Sequence, residues 1–249
     1  MLFSTSTLLA AATFIGQAAA HGYVPWIRIN GTNIPGWDVT RDGYTVPQPL
    51  RIVRATKPDS GYISNVNSPD ITCSIGNSKL PPGPITASIP AGQTLTVVWN
   101  TWPIGHDGPI INYMAKCPVP GCSSWKGDTG SPWFKISQQT YDGEWPSNRL
   151  ARGGFTSDVR IPANIEPGDY LLRHEQIALH GASQPGGAQF YPVCIQLTVT
   201  GGGNLRPSGL NFPGAYKQND PGILFNPYRG DAANRAYIPP GGPVYPGLT

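Results

Sequence analysis

The chain has 249 residues, with 17 Lys plus Arg against 14 Asp plus Glu, a formal net charge of +3 and no basic run, which gives nucleic acid no footing as a partner. Only 12% of residues are charged, whereas 31 are Gly, 28 Pro, 11 Tyr and 7 Trp. That profile excludes a chain of long helices and fits an all-β protein with aromatic surface for an uncharged ligand.

Residues 1–20 contain an apolar run over 8–15 and end in the small-x-small pattern of Ala18 and Ala20, although the first six residues carry no Lys or Arg. This predicts a secretory signal peptide cleaved after Ala20. The run is too short to span a bilayer and no later stretch reaches the necessary ~20 apolar residues, so no membrane partner is expected. The mature protein is then secreted, extracellular and monomeric, with residues 21–249 as a single domain. Cleavage there also gives His21 a free α-amine beside its imidazole. Those two nitrogens can close a chelate ring on one metal ion, which an internal histidine does not offer.

The segment 21–30 alternates well enough for a first strand, and Asn30-Gly31 supplies a turn. Asn30-Gly31-Thr32 is also a glycosylation sequon. Residues 33–92 are repeatedly broken by proline and read as loops with short strands. A clearer strand covers 94–99, with Leu95, Val97 and Trp99 on one face. It runs into Gly105-His106-Asp107-Gly108-Pro109, a tight loop that holds His106 at the strand's end.

Further strands are predicted at 133–137, 158–162, 170–179 and 191–200. In the last, Ile195, Leu197 and Val199 alternate with Gln196, Thr198 and Thr200, so one side reads as core and the other as more polar. Short strands between Gly/Pro turns indicate a β-sandwich. Residues 204–249 are rich in Pro, Gly, Asn and Tyr. Leu205, Leu210, Phe212, Ile223, Leu224, Phe225 and Tyr228 make them a segment that wraps the sandwich, not a free tail.

The four cysteines of an exported chain read as two disulfides, with three pairings open. Cys117 and Cys122 close a short loop through Pro118, Pro120 and Gly121, which leaves Cys73 to join Cys194.

Of the four histidines, His174 lies inside an apolar strand and reads as structural. A lone loop histidine such as His106 is commonly a surface or hydrogen-bonded residue. His21 differs because the cleavage signal ends at its own nitrogen. A nitrogen-rich site without thiolates suits copper, with His21 giving two nitrogens and His106 a third. Gln189 and Tyr191 lie two apart in an extended segment and share a face. A phenol can fill an axial position beside such a site, and an amide or the ring N–H of His180 can donate a hydrogen bond there. Without the metal, Gln189 and Tyr191 are ordinary sandwich residues. No spacing singles out the carboxylate pair of a glycosidase, and no G-x-S-x-G elbow occurs.

Several motifs stand together in order: His21 after the leader, Gly105-His106-Asp107-Gly108-Pro109, Asn112-Tyr113-Met114-Ala115-Lys116-Cys117-Pro118, Leu172-Arg173-His174-Glu175-Gln176-Ile177-Ala178-Leu179-His180, Gly187-Ala188-Gln189-Phe190-Tyr191 and Phe212-Pro213-Gly214-Ala215-Tyr216. With them the chain resembles the fungal lytic polysaccharide monooxygenases of the cellulose-active auxiliary-activity family nine, once classed as glycoside hydrolase family sixty-one. The resemblance implies an immunoglobulin-like (fibronectin-III-like) β-sandwich with long loops and a flat substrate face. It implies one copper ion, cycling between Cu(II) and Cu(I), held by His21 and His106 with Tyr191 axial, and His180 and Gln189 beside it. It also implies the pairs Cys73–Cys194 and Cys117–Cys122, and it matches Tyr44 and Tyr216 to aromatics that lie against sugar rings. The activity implied is cleavage of cellulose or a related β-1,4-glucan by hydroxylation at C1 or C4, or both, with O2 or H2O2 and an external electron donor, a small reductant or a secreted dehydrogenase. The alternative is a non-catalytic secreted copper-binding protein that shares the histidine pair.

Overall fold

The computed structural model describes residues 22–56, 60–76 and 85–249. Residues 1–20, where the signal peptide is expected, and His21 lie outside the described residues. Among those described, no helix is long and apolar enough to cross a membrane.

The chain forms a two-sheet β-sandwich. The first sheet takes β1 (Trp26–Ile29), β2 (Thr32–Pro35), β4 (Thr94–Val98) and β7 (Thr156–Arg160), in the order β2-β1-β4-β7 and antiparallel throughout. The second takes β3 (Ala87–Pro90), β5 (Ile110–Lys116), β6 (Trp133–Gln139), β8 (Gly168–Ala178) and β9 (Gln189–Thr200), in the order β3-β9-β8-β5-β6. In this sheet β3 and β9 pair in parallel and the other described pairs are antiparallel. The β1–β2 hairpin closes at Asn30 and Gly31, with φ of 49° and 76°, the left-handed pair that a two-residue turn between right-twisted strands requires. Asn30 is exposed at the end of β1 away from Gly22.

Between the sheets, Ile27, Leu95, Val97 and Val159 pack against Met114, Leu172, Ile195 and Leu197. A second core lies on the outer face of the larger sheet. There Tyr113, Leu171, Ile177 and Phe190 meet Phe212, Tyr216, Ile223 and Tyr237 of the C-terminal segment. The wrap expected over 204–249 is therefore present, although Leu224 and Tyr228 are exposed and do not anchor it. Two helices, α1 (Pro146–Arg152) and α2 (Asp231–Arg235), flank the sheets.

The second core corrects two expectations. The side of β9 read as the more polar one is covered in part: Thr200 is exposed, whereas Gln196 is fully buried and donates to the Ile85 carbonyl at 2.7 Å, with its Oε1 facing Arg54. β5, absent from the predicted strands, is the partner of both β6 and β8, with a register shift at Asn112/Tyr113. Burial on both faces removes the alternation that marks a half-exposed strand.

Burying both faces also buries charge. Arg173 and Glu175, both fully buried, pair through two hydrogen bonds of 2.8 and 2.5 Å. The rest of the Arg173 fork reaches the carbonyls of Ile71 and Thr72, and its guanidinium lies 4.1 Å from the Phe212 ring centroid. Glu175 also accepts from the Tyr216 hydroxyl, and Lys135 donates to the carbonyls of Pro240 and Gly242. Two disulfides, Cys73–Cys194 and Cys117–Cys122, leave no free cysteine. The first ties the loop before β3 to β9.

His174 is the structural histidine of the inner core. Its Nε2 accepts from Trp99 Nε1 at 3.2 Å and its Nδ1 meets Asn112 Oδ1 at 2.7 Å. A proton added at Nε2 would face the indole N–H, and burial pushes the ring's pKa from 6.5 down to about 3. The unfolded chain therefore binds a proton that the fold excludes. The stability involved is complete above about pH 6.5 and is lost as the pH falls towards 3, at up to about 1.4 kcal/mol per pH unit. Urea unfolding of the protein at pH 7 and at 4.5 is expected to show this loss, and His174→Gln should reduce the difference. An unchanged pH dependence in that variant would contradict the assignment.

Candidate metal centre

The ends of β8 and β9 and the loop before β5 converge at one end of the sandwich. The loop 99–109 is pressed onto β8: Leu179 N–H donates to the Asp107 carbonyl at 2.6 Å and Ile177 N–H to that of Pro109 at 3.2 Å. A Cβ on Gly108 would meet the Ile177 carbonyl oxygen at 1.8 Å, so only glycine allows this approach. Gly105, at φ +88°, takes the left-handed turn just before His106. The loop from β8 to β9 is equally tight, since a Cβ on Gly187 would meet the Gly181 carbonyl oxygen at 1.8 Å.

These two turns bring the His106 and His180 rings to a centroid distance of 4.3 Å. Trp102 stands behind them, edge-on to His106 at 6.0 Å and to Tyr191 at 4.9 Å. Tyr191 is 4% exposed and donates its hydroxyl hydrogen to Gln189 Oε1 at 2.7 Å. That bond turns the amide so that its Nε2 is the end left to donate elsewhere. Burial, with Tyr62 close by, raises the Tyr191 pKa and keeps the phenol neutral. His180 is half-buried, which lowers its pKa against the opposing charge of Asp107, and its Nδ1 has no hydrogen-bond partner among the described residues.

The first described residues are clamped onto the same end. Asn100 N–H donates to the Tyr23 carbonyl at 3.0 Å, and Tyr23 N–H to Asn100 Oδ1 at 2.7 Å. Gly22 is buried so tightly that a Cβ would meet the Thr101 carbonyl oxygen at 2.1 Å, and it lines a small cavity with Trp99 and Tyr191. The structure thus gathers His106, His180, Gln189 and Tyr191 and fixes the residue bonded to His21 beside them. Among the described residues no group of three or more His, Cys, Asp or Glu is placed to hold a metal ion.

The two aromatics matched to sugar contacts behave differently. Tyr44 is 70% exposed, on a loop braced by the Arg51–Asp42 ion pair. Tyr216 is 2% exposed, wedged against Phe190 and Phe212, with its hydroxyl on Glu175. A ring enclosed in the second core does not lie against a sugar, so that expectation for Tyr216 is withdrawn. An aromatic that the sequence reading passed over is Tyr62, 42% exposed, with its ring centroid 6.2 Å from that of Tyr191. It comes from the proline-broken stretch, where no periodicity marks it, and is placed by the isolated bridge between Ile63 and Phe190.

The two-sheet β-sandwich is an architecture shared with solved polysaccharide monooxygenases. The extended catalytic domain of the H. jecorina enzyme LPMO9A superposes with a TM-score of 0.79 at 35% identity, over 92% of each chain. The AA9 family lytic polysaccharide monooxygenase F of Malbranchea cinnamomea is 43% identical over 234 residues, 91% of each chain. The corresponding B enzyme of Geotrichum candidum is 41% identical over 249 residues, covering 98% of this chain. This chain spans 66% of that protein's length. The sequence profile of Auxiliary Activity family 9 (formerly GH61) matches residues 21–237. The chain belongs to this family, the AA9 lytic polysaccharide monooxygenases.

Proposed function

We propose that the protein is a secreted, copper-dependent enzyme that cleaves β-1,4-glucan oxidatively, with His21, exposed by removal of residues 1–20, completing the site. The observation that carries this reading is the convergence of His106, His180, Gln189 and Tyr191 at the end of the sandwich where Gly22 is clamped. The donor chemistry fits the ion: neutral imidazoles, a neutral phenol and no thiolate, since all four cysteines are in disulfides. His21, through its amine and ring, and His106 would hold copper, together with the phenol of Tyr191. Bound there, copper supplies the one-electron chemistry that links an external reductant to O2 or H2O2.

The chain's own groups do the rest. Tyr191 keeps its proton and donates it in a hydrogen bond to Gln189 Oε1, which leaves the Gln189 amide hydrogens to donate towards the site. His180 offers a second ring nitrogen from beside His106. Trp102 and the inner core seal the buried side, so substrate approaches from the solvent face, where Tyr62 is exposed beside Tyr191 and Tyr44 would add a second ring. Residues 21–249 act as one monomeric domain in this reading, with Asn30 open to a glycan.

Mature protein loaded with copper and given cellulose and ascorbate is expected to release oxidised oligosaccharides, seen by mass spectrometry, whose oxidised end reports C1 or C4 attack. The release should stop without reductant or with a chelator. Products that persist under chelation would indicate a hydrolase. A copper-storage protein would bind the ion and release no products, and nothing in storage asks for Gln189 and His180 at this position.

A further inference from the structure

The loop that carries His106 is held from two sides. On one side, backbone N–H groups of Leu179 and Ile177 take the carbonyls of Asp107 and Pro109. On the other, two consecutive residues of α1 reach the loop with their side chains. Ser147 Oγ accepts from Gly108 N–H at 3.0 Å, and Asn148 Oδ1 accepts from Gly105 N–H at 3.1 Å. The Asn148 amide also spans the histidine, because its Nδ2 donates to Asp107 Oδ1 at 2.7 Å. Gly105, Asp107, Gly108 and Pro109 are thus each fastened from outside the loop, and His106 stands between them.

α1 is a firm base for these contacts. Leu150 is 3% exposed in the core between the sheets and Ser147 is fully buried, while Gly153 N–H closes the helix on the Arg149 carbonyl at 2.8 Å. The Asn148 amide has one orientation that satisfies both neighbours: Gly105 N–H needs the oxygen and the Asp107 carboxylate needs the nitrogen. The bond to the carboxylate is charge-assisted, and so stronger than one between neutral groups. Gly105, at φ +88° with open space where a Cβ would stand, is a joint that only its hydrogen bond to Asn148 keeps closed from outside. Without that amide the loop could turn just ahead of the imidazole.

The structure assigns Asn148 as a positioning residue: by fastening Gly105 and Asp107 at once it sets where the His106 imidazole stands, so that the metal affinity of the site depends on a side chain that is not a ligand. This rests on the copper-binding role of His106 proposed above and adds to it the residue that aims the ring.

The test compares protein beginning at His21 with Asn148→Ala, with Asn148→Asp, and with Asn148→Asp combined with Asp107→Asn. Alanine removes both bonds. Aspartate, the same shape and suited to a half-buried position, keeps an acceptor for Gly105 but sets two carboxylates face to face. The combined change exchanges amide and carboxylate, so both bonds can form again at the parent's net charge. Titration with Cu(II) is expected to show affinity about tenfold weaker in each single variant, the scale of a group that supports a ligand, and within about threefold of the parent in the exchanged pair. The weakening by aspartate would occur although its added negative charge by itself favours a cation. The Cu(II) EPR spectrum should shift in the single variants and return in the pair, and in copper-free protein the His106 ring resonances should move or broaden in the same order. A side chain that merely supported the fold would lower the thermal midpoint and leave affinity and spectrum as in the parent, which overturns the assignment. An exchanged pair as weak as the single variants also overturns it. A parent that binds no copper removes the proposed function and the assignment together, whereas a parent that binds it no better than the single variants do removes the assignment alone.

Discussion

Replacing Glu175 by alanine is expected to destabilise the fold by about 3–5 kcal/mol, because it leaves the guanidinium of Arg173 charged and unpaired in a dry core. Both side chains are 0% exposed, and no solvent reaches the pair to screen the loss. The neighbours make the effect larger than the removal of one bond. Tyr216 would lose the carboxylate that accepts its hydroxyl, and Tyr113, bonded to Tyr216 at 2.9 Å, would feel that shift. These contacts join β8 to the C-terminal segment, so the loss should appear as earlier detachment of residues 204–249 in hydrogen exchange as well as a lower denaturation midpoint. The double change Arg173→Met with Glu175→Leu should recover most of the stability, since an apolar pair of similar volume removes the buried charges together. If Glu175→Ala cost no more than a surface substitution, the pair would not be a structural element of this fold.

The second large effect is on metal. His106→Ala is expected to weaken copper binding by at least about 100-fold, more than the 10–100-fold typical of a residue that only supports a ligand, and to abolish oxidised products. The fold should survive, because His106 sits in a loop held by backbone contacts of Asp107 and Pro109 rather than by its own ring. Equilibrium titration with copper, with thermal unfolding of the apo protein as control, separates the two. Copper affinity within a few-fold of the parent would mean that His106 is not a ligand.

The strands with clean alternation were legible in the sequence. Leu95, Val97 and Trp99 mark β4 because its other face meets solvent, and Asn30-Gly31 marks the first hairpin through backbone conformation alone. β5 was not legible. Its side chains from Ile110 to Ala115 are all buried, some between the sheets and some under the C-terminal segment, so period-two patterning disappears. α1 escaped notice because its seven residues start at Pro146 inside a Gly- and Pro-rich stretch that reads as loop.

The site divides in the same way. His106, His180, Gln189 and Tyr191 stand out as chemistry-bearing residues at strand ends, where loops display function. The expectation for Tyr216 has a different cause: it came from the match of position to the family's aromatics, and position in the chain does not reveal the buried Glu175 that receives its hydroxyl.

The most direct test of the account is the copper dissociation constant of protein processed to begin at His21, set against the same protein carrying one additional alanine ahead of that residue. The extension leaves every described contact intact and changes only a terminal amine into an amide, which is a far poorer ligand. The account predicts affinity at least about 100-fold weaker in the extended protein, with the fold unchanged. Equal affinity in the two proteins would contradict a centre built on the α-amine of His21.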